Sequence, residues 1–231
     1  MEIKARLKLI TKVVINFFRD KESVYYENLF INNSYWNSKD GNEDERARWK
    51  VIQELINSNI KENKSLRILD LGCGRGWLSN LLTEFGSVTG AEPVKGVVNY
   101  AKKIFPNVEF IVGSTKELIK SETKNFDLIV CSEVLEHIPD DKKNEFIGEI
   151  HQLLANGGHA IFSTPRAEAQ VDWLKNSKIT QPIEEWISEI DLEKLFSQNS
   201  FKSKELKRVE LSPVPAGELI PIYQVWLFAK I

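Results

Sequence analysis

From residue 66 onward, the chain alternates between two patterns of apolar positions. Short, nearly continuous apolar runs predict buried strands, and longer segments with apolar residues three to four positions apart predict helices. The predicted strands are Leu66–Leu71, Val88–Ala91, Val108–Val112, Phe126–Cys131, His159–Ser163, Phe201–Leu211 and Tyr223–Ala229. The helices predicted between them are Trp77–Phe85, Val94–Phe105, Asp141–Leu154 and Ile187–Ser197.

This alternation predicts an α/β fold with a doubly wound, mostly parallel seven-stranded sheet, because parallel strands need crossover helices that cover both faces. The last strand is expected to be antiparallel. Residues 1–62 have no strand pattern and one clear helix at Glu43–Asn57, so we expect a helical N-terminal cap. Residues 63–231 then form the core, and the interruption of the pattern at 166–186 predicts an inserted lid.

Composition and charge exclude several classes of protein. The 231 residues carry 31 basic and 33 acidic side chains, and a formal charge of −2 argues against a protein that coats nucleic acid. Two cysteines form no disulfide framework or zinc cluster, and the three histidines have no metal-ligand spacing. We therefore expect no bound metal and reduced, cytoplasmic surroundings.

The most apolar N-terminal stretch, Leu7–Phe18, is interrupted by Lys8 and Lys12. It is too short and too charged to span a bilayer, so we expect no transmembrane segment. Two interpretations remain open. One is a helix that packs on the domain, and the other is an interfacial helix that makes peripheral contact with a membrane.

Glycines follow the first predicted strand, in the segment Asp70-Leu71-Gly72-Cys73-Gly74-Arg75-Gly76-Trp77. Ligands of such sheets bind at the carboxyl ends of the strands, and glycines let the backbone turn sharply beside them. The dinucleotide pattern would need glycine where Trp77 stands. The segment suits a ligand with an amino-acid end, whose ammonium group lies near Asp70. Glu92 ends the second strand, where an acid can accept hydrogen bonds from two ribose hydroxyls.

Residues 66–164 resemble the Rossmann-like, class I S-adenosylmethionine-dependent methyltransferases. Four segments in the expected order carry the resemblance: Ile68–Gly76, Val88–Glu92, Phe126–Cys131 and Gly157–Phe162. Within that superfamily, the stretch Ser132-Glu133-Val134-Leu135-Glu136-His137-Ile138-Pro139 and the segment Phe162-Ser163-Thr164 look most like the ubiquinone-pathway and other small-molecule O-methyltransferases.

The resemblance implies S-adenosylmethionine as the cofactor and a set of positions that bind it. Glycines of the turn would line its methionine part, Glu92 would hold the ribose, and Pro93 would pack beside the adenine. Arg48 would point towards the cofactor carboxylate, or would instead be a solvated helix residue. The positions expected at the cofactor are Arg48, Asp70, Gly72, Cys73, Gly74, Glu92, Pro93, Ser114, Thr115, Cys131 and Ser132.

His137 is the candidate general base, because imidazole changes charge near neutral pH and this residue follows the fourth strand closely. The alternative is a histidine that orders the turn before Pro139. Glu133, Glu136 and His137 have a spacing that one helical turn would bring to one side. They could hold a divalent ion, as is thought for some relatives, or hydrogen-bond to loops and water.

Aromatic and apolar residues of the lid could stack on a flat acceptor or simply pack the lid: Trp173, Ile179, Ile183 and Trp186. Tyr35 and Trp36 are expected to close the cofactor pocket from the N-terminal side.

These observations predict methyl transfer from S-adenosylmethionine to an oxygen, or secondarily a nitrogen, of a small-molecule acceptor. One alternative is a methyltransferase that acts on RNA or protein. A nucleic-acid partner is not expected, because the charge is −2 and no Asn-Pro-Pro-Tyr sequence follows the fourth strand. The other alternative is a non-catalytic subunit that binds S-adenosylmethionine.

Overall fold

The computed structural model describes residues 21–60, 65–121, 125–178, 181–214 and 217–231. The apolar stretch Leu7–Phe18 and lid residue Ile179 lie outside these residues. Within the described ranges, none of the helices is both long enough and apolar enough to cross a membrane.

The described residues form one seven-stranded sheet. Its strands are β1 (Leu66–Leu71), β2 (Gly86–Glu92), β3 (Glu109–Val112), β4 (Phe126–Ser132), β5 (Leu154–Pro165), β6 (Phe201–Leu211) and β7 (Ile220–Lys230). They lie in the order β3-β2-β1-β4-β5-β7-β6. The first five pair in parallel, whereas β7 runs antiparallel to both β5 and β6. The predicted mostly parallel sheet with an antiparallel last strand is confirmed.

Helices cover both faces of this sheet. They are α1 (Lys21–Glu27), which continues into a π-helical turn (Asn28–Asn32), α2 (Glu43–Asn59), α3 (Trp77–Leu82), α4 (Lys95–Ile104), α5 (Thr115–Lys120), α6 (Asp140–Leu153), α7 (Gln170–Leu174) and α8 (Glu189–Gln198). Successive strand residues face opposite sides, so Ile68 packs with α2, α3 and α4, and Leu69 packs with α5, α6 and α8. The sheet is therefore buried on both faces, which explains its continuous apolar runs.

The element boundaries differ from the predicted ones where short-range pattern is weak. The predicted helix Trp77–Phe85 ends at Leu82, and α1 and α5 were not predicted from the sequence. Strand β5 begins at Leu154 rather than at His159, because Leu154 pairs with Phe126 before a register shift.

The segment between β5 and α8 forms the lid, and its two ends are tied together. Arg166 and Ile187 form a parallel bridge, and the Arg166 guanidinium donates to Glu189 at 2.5 Å and to the Pro221 carbonyl at 2.8 Å. Gln224 donates to the Ile187 carbonyl at 2.8 Å. The lid is thus anchored to β7 at its base.

Candidate active site

A cavity of about 640 Å³ lies at the carboxyl ends of β1 and β4. Its volume falls in the range of small-molecule pockets, roughly 300–1,000 Å³. The N-terminal helices, the glycine turn, the segment after β4 and the lid all line it. The predicted positions among its lining residues are Trp36, Arg48, Asp70, Gly72, Cys73, Gly74, Ser132, Glu133, Glu136, His137, Trp173 and Trp186.

The glycine turn forms the floor of the cavity beside β1. Gly72 and Gly74 have φ angles of +72° and +51°, which favour glycine. A side chain at Gly72 would collide with Val134, and a Cβ at Gly74 would lie 2.9 Å from the Phe30 ring. The turn is fixed to the end of β2 because the N–H groups of Gly72 and Cys73 donate to the Ala91 carbonyl at 2.8 and 3.1 Å. Only an unsubstituted backbone fits here, as a turn that holds a ligand closely requires.

Glu92 is buried at the end of β2, beside this turn. Its carboxylate accepts hydrogen bonds from the backbone N–H of Val94 at 2.9 Å and of Gly74 at 3.3 Å. Burial raises the pKa of Glu92 to about 7. Neither Glu92 nor Pro93 lines the cavity; Phe30 lines it and contacts Gly74 on this side. The structure thus brings Glu92 to the glycine turn, outside the present boundary of the cavity.

Asp70 lies at the carboxyl end of β1 and lines the cavity. It is 2 % exposed and accepts a hydrogen bond from the Ser79 hydroxyl at 2.5 Å. Burial raises the pKa of Asp70 to about 7.

Arg48 projects from α2 into the cavity and is 5 % exposed, so its interpretation as a solvated residue is wrong. Its guanidinium carbon lies 4.7 Å from the Tyr223 ring centroid, and its Nε lies 3.9 Å from a Glu133 carboxylate oxygen. Its Nη1 is buried and has no hydrogen-bond partner among the residues that the structure describes. Since an unsatisfied buried donor costs about 1–3 kcal/mol, this atom fits a ligand that brings an acceptor group.

Polar residues at the ends of β4 and β5 and in the turn after β4 form a hydrogen-bonded network under the cavity. Ser163 Oγ donates to Glu133 at 2.8 Å and lies 2.9 Å from Ser132 Oγ, while Thr164 Oγ1 donates to Glu136 at 3.0 Å. Burial raises the pKa of Glu133 to about 8 and that of Glu136 to about 7. The network therefore holds two carboxyl groups that exchange protons near neutral pH.

His137 lies in a 3-10 turn (Leu135–His137) at the edge of the cavity. Its Nδ1 is 2.7 Å from the carbonyl oxygen of Ile183 in the lid. A carbonyl only accepts hydrogen bonds, so Nδ1 carries a proton and the neutral ring has its lone pair on Nε2. The Tyr26 ring packs edge-on at 6.1 Å between centroids. These two contacts fix the orientation of the ring.

Glu133, Glu136 and His137 lie near one another, but each has partners of its own. Glu133 and Glu136 accept hydrogen bonds from Ser163 and Thr164, and His137 Nδ1 contacts the Ile183 carbonyl, while its Nε2 lies 3.8 Å from a Glu136 oxygen. Among the residues that the structure describes, no group of three or more His, Cys, Asp or Glu side chains is arranged to hold a metal ion.

Aromatic side chains from the lid and from the N-terminal region face the cavity. Trp173 and Trp186 line it from the lid, and the Trp186 indole N–H donates to Glu184 at 2.7 Å. Trp36 lines it from the N-terminal side, whereas Tyr35 is 49 % exposed and packs against Trp36.

Three positions expected at the cofactor have other surroundings. Ser114 caps α5 and donates to Glu117, and the buried Thr115 hydroxyl donates to Glu149 at 2.5 Å. Cys131 is fully buried in the cluster on the face of Leu69, because the strand alternation turns its side chain away from the cavity. Cys73 packs in the apolar cluster that contains Ile68, on the opposite face of the sheet. Both thiols are therefore buried, as small apolar side chains would be.

Sequence reasoning missed Arg75 and Tyr223. The Arg75 guanidinium binds Glu45 through two hydrogen bonds of 2.5 and 2.8 Å and donates to the Ser38 carbonyl at 2.9 Å. A charged residue inside an apolar glycine motif was the available signal for Arg75. Tyr223 had no such signal, because its place beside Arg48 depends on the tertiary fold.

Comparison with known proteins extends these observations. Residues 43–208 match the family described as a methyltransferase domain. The chain is similar to the ubiquinone biosynthesis O-methyltransferase of Coxiella burnetii, at 32% identity over 122 residues. The aligned residues make up 51% of this chain and 49% of that relative, so the chain spans about half of the relative's length. It is 27% identical to the enzyme of the same name from Rickettsia prowazekii over 199 residues, which cover 77% of this chain and 76% of the relative.

Solved structures show the same fold at low identity. The N-methyltransferase NodS of Bradyrhizobium japonicum, in complex with S-adenosylhomocysteine, superposes with a TM-score of 0.70 at 18% identity, over 91% of this chain and 99% of its own. The magnesium protoporphyrin IX methyltransferase of Synechocystis superposes with a TM-score of 0.69 at 18% identity, over 92% of this chain and 100% of its own.

Proposed function

Because this chain belongs to the class I S-adenosylmethionine-dependent methyltransferases, we propose that it methylates a hydroxyl oxygen of a small, flat acceptor. The observation that carries the proposal is one cavity of about 640 Å³ that joins the glycine turn to His137 beneath an aromatic lid. Such a cavity accommodates a cofactor and a small acceptor side by side.

The proposed cofactor half is built from the turn and its neighbours. The backbone at Gly72 and Gly74 would lie along the methionine part, and Glu92 would accept hydrogen bonds from the ribose. The unpartnered Nη1 of Arg48 supports a contact with a carboxylate. When bound, S-adenosylmethionine supplies a methyl group on a positively charged sulfur. Pro93 and the backbone near Ser114 would lie at the adenine.

The proposed acceptor half lies between the segment after β4 and the lid. Trp173 and Trp186 line it and offer apolar faces for a flat ring. The Nε2 lone pair of His137 would remove the hydroxyl proton as the oxygen attacks. The names of the two ubiquinone biosynthesis relatives support oxygen as the methylated atom.

An acceptor screen with methyl-labelled cofactor tests this proposal. We expect label in catechols or hydroxyquinones, and none in amino sugars, carboxylic acids, RNA or protein. Label confined to any of the latter classes would contradict oxygen methylation of a hydroxyl.

His137→Gln tests the proposed base with the acceptor found in the screen. Since general-base catalysis contributes about 10²–10⁴-fold, kcat should fall by that factor. The affinity for S-adenosylhomocysteine, measured by calorimetry, should not change. His159→Gln is the matched control, because His159 lies in β5, away from the cavity lining, and it should leave kcat unchanged. An unchanged kcat in His137→Gln would remove His137 from the mechanism.

A further inference from the structure

A buried lysine binds the lid close to His137. Lys143, on the first turns of α6, is 3 % exposed and does not line the cavity. Its ammonium group donates to the Asp140 carboxylate and, at 2.9 Å, to the carbonyl oxygen of Glu185 in the lid. A buried ammonium group is costly unless it is paired, so the contact with Glu185 is a specific feature of this site.

Glu185 is held at three points. Besides the bond from Lys143 to its carbonyl, its N–H donates to the Glu136 carbonyl at 2.8 Å, and its carboxylate accepts from the Asp140 N–H at 2.7 Å. This places the lid backbone in one register relative to the turn that carries His137. Two residues earlier in the lid, the Ile183 carbonyl lies 2.7 Å from His137 Nδ1.

The Ile183 carbonyl determines which nitrogen of His137 acts as the base. With the proton on Nδ1, the lone pair is on Nε2. Without this acceptor, the proton is free to move to Nε2, which lies 3.8 Å from a Glu136 carboxylate oxygen, and that tautomer has no lone pair on Nε2.

We propose that Lys143 is a positioning residue for methyl transfer, because its hold on Glu185 keeps the Ile183 carbonyl on Nδ1 and thereby the lone pair on Nε2 of His137. This inference rests on the proposed role of His137. In the step itself, the O–H proton of the acceptor goes to Nε2, the oxygen–carbon bond forms, and the methyl–sulfur bond breaks with its electron pair left on sulfur.

The tautomer is observable directly in protein labelled with ¹⁵N-histidine, since the chain has three histidines and His137→Gln identifies the resonances of this one. In the wild-type protein we expect the long-range ¹H–¹⁵N pattern of a ring protonated on Nδ1. In Lys143→Met we expect a mixture of the two tautomers. Lys143→Arg, which retains a charged donor, should restore the wild-type pattern. A wild-type ring protonated on Nε2 would overturn the inference without any variant, so the test survives a variant that fails to fold.

Kinetics give a second readout. Lys143→Met should lower kcat about tenfold, less than loss of the base itself, while KM and the affinity for S-adenosylhomocysteine change less than about twofold. Lys142→Met is the matched control, because Lys142 is the exposed neighbour on the same helix, and it should behave as wild type. An unchanged tautomer and kcat in Lys143→Met would overturn the inference and leave the proposed function intact. Failure of the wild-type protein to methylate any acceptor would refute the proposed function, whereas the resonances would still report the tautomer.

Discussion

Glu92 combines burial with a role that requires negative charge. Its carboxylate is 7 % exposed, bound only by the backbone N–H groups of Val94 and Gly74 among the hydrogen bonds of the described residues. Burial raises its pKa to about 7, because the lost hydration disfavours the charged form. The proposed ribose contacts need the ionised form, because a carboxylate accepts two hydroxyl hydrogens more strongly than a carboxylic acid does.

Cofactor affinity should therefore depend on pH through this residue. Protonation of Glu92 below pH 7 competes with binding, so the affinity for S-adenosylhomocysteine should fall about tenfold between pH 8 and pH 6. Calorimetric titrations across that range measure the effect.

Glu92→Gln is the matched control for this prediction, since the amide keeps the shape of the side chain and does not titrate. Its affinity should be lower than that of wild type at pH 8 and should change little with pH. An equal pH dependence in both proteins would assign the effect to the other buried acids of the site, Asp70, Glu133 or Glu136, whose pKa values burial raises to about 7, 8 and 7.

The sequence predicts which residues lie near the site better than it predicts the direction in which their side chains point. Gly72 and Gly74 line the cavity, because strand ends and glycine turns fix the backbone there, and Arg48, whose role the sequence left open, lines it from α2. Cys131 and Thr115 were both predicted at the cofactor, yet the Cys131 side chain points into the core and the Thr115 hydroxyl donates to Glu149. Those orientations depend on strand register and on neighbouring helices, which no local motif encodes.

Among the elements, α2 and the glycine turn depend on each other through Arg75. Its guanidinium is 2 % exposed and binds Glu45 on α2 through two hydrogen bonds. Glu45 also accepts from the Asn42 N–H in the capping box of α2. One buried ion pair therefore fixes the start of the helix that carries Arg48 against the turn.

Removing this cation should destabilise the protein strongly. Arg75→Met leaves Glu45 buried without its cation, and the free energy of unfolding in urea should fall by about 3–5 kcal/mol. Arg67→Met is the control, since its pair with Asp127 is solvent-exposed and should contribute less than about 1 kcal/mol. An equal loss of unfolding free energy in the two variants would show that the buried pair contributes no more to stability than the exposed one.

Short elements and the lid account for most of what the sequence could not predict at this scale. Helix α5 has six residues, too few for an apolar repeat, and β5 begins at Leu154 although Gly157 and Gly158 follow. Long apolar runs such as β1 were predicted with their observed limits, because strands buried on both faces leave a local pattern. The contact of Ile183 with His137 joins residues 46 positions apart, so it leaves no local pattern in the sequence.

Across the whole molecule, the site concentrates four buried acids whose pKa values are raised by burial: Asp70, Glu92, Glu133 and Glu136. In the unfolded chain such groups titrate near pH 4. A raised pKa means that the folded state binds the proton more tightly, so the stability contributed by these groups is fully present below about pH 4 and is lost as pH rises from there through the folded-state pKa values of about 7 to 8. The ligand-free protein is thus expected to become less stable between pH 6.5 and pH 8.

This loss of stability with rising pH is opposite to the usual behaviour of acids in ion pairs. His151 and His159 have pKa values lowered by burial, so they destabilise the folded state as pH falls through about 6.5 and oppose the effect of the acids only at the acid end of this window. Between pH 6.5 and pH 8, the four acids should together change the free energy of unfolding by about 1–4 kcal/mol. Urea unfolding at both pH values measures it, and Glu133→Gln should remove the largest share because its pKa is raised to about 8. A ligand-free protein that is more stable at pH 8 than at pH 6.5 would mean that these acids are ionised in the folded state, and that the site is more hydrated than its burial indicates.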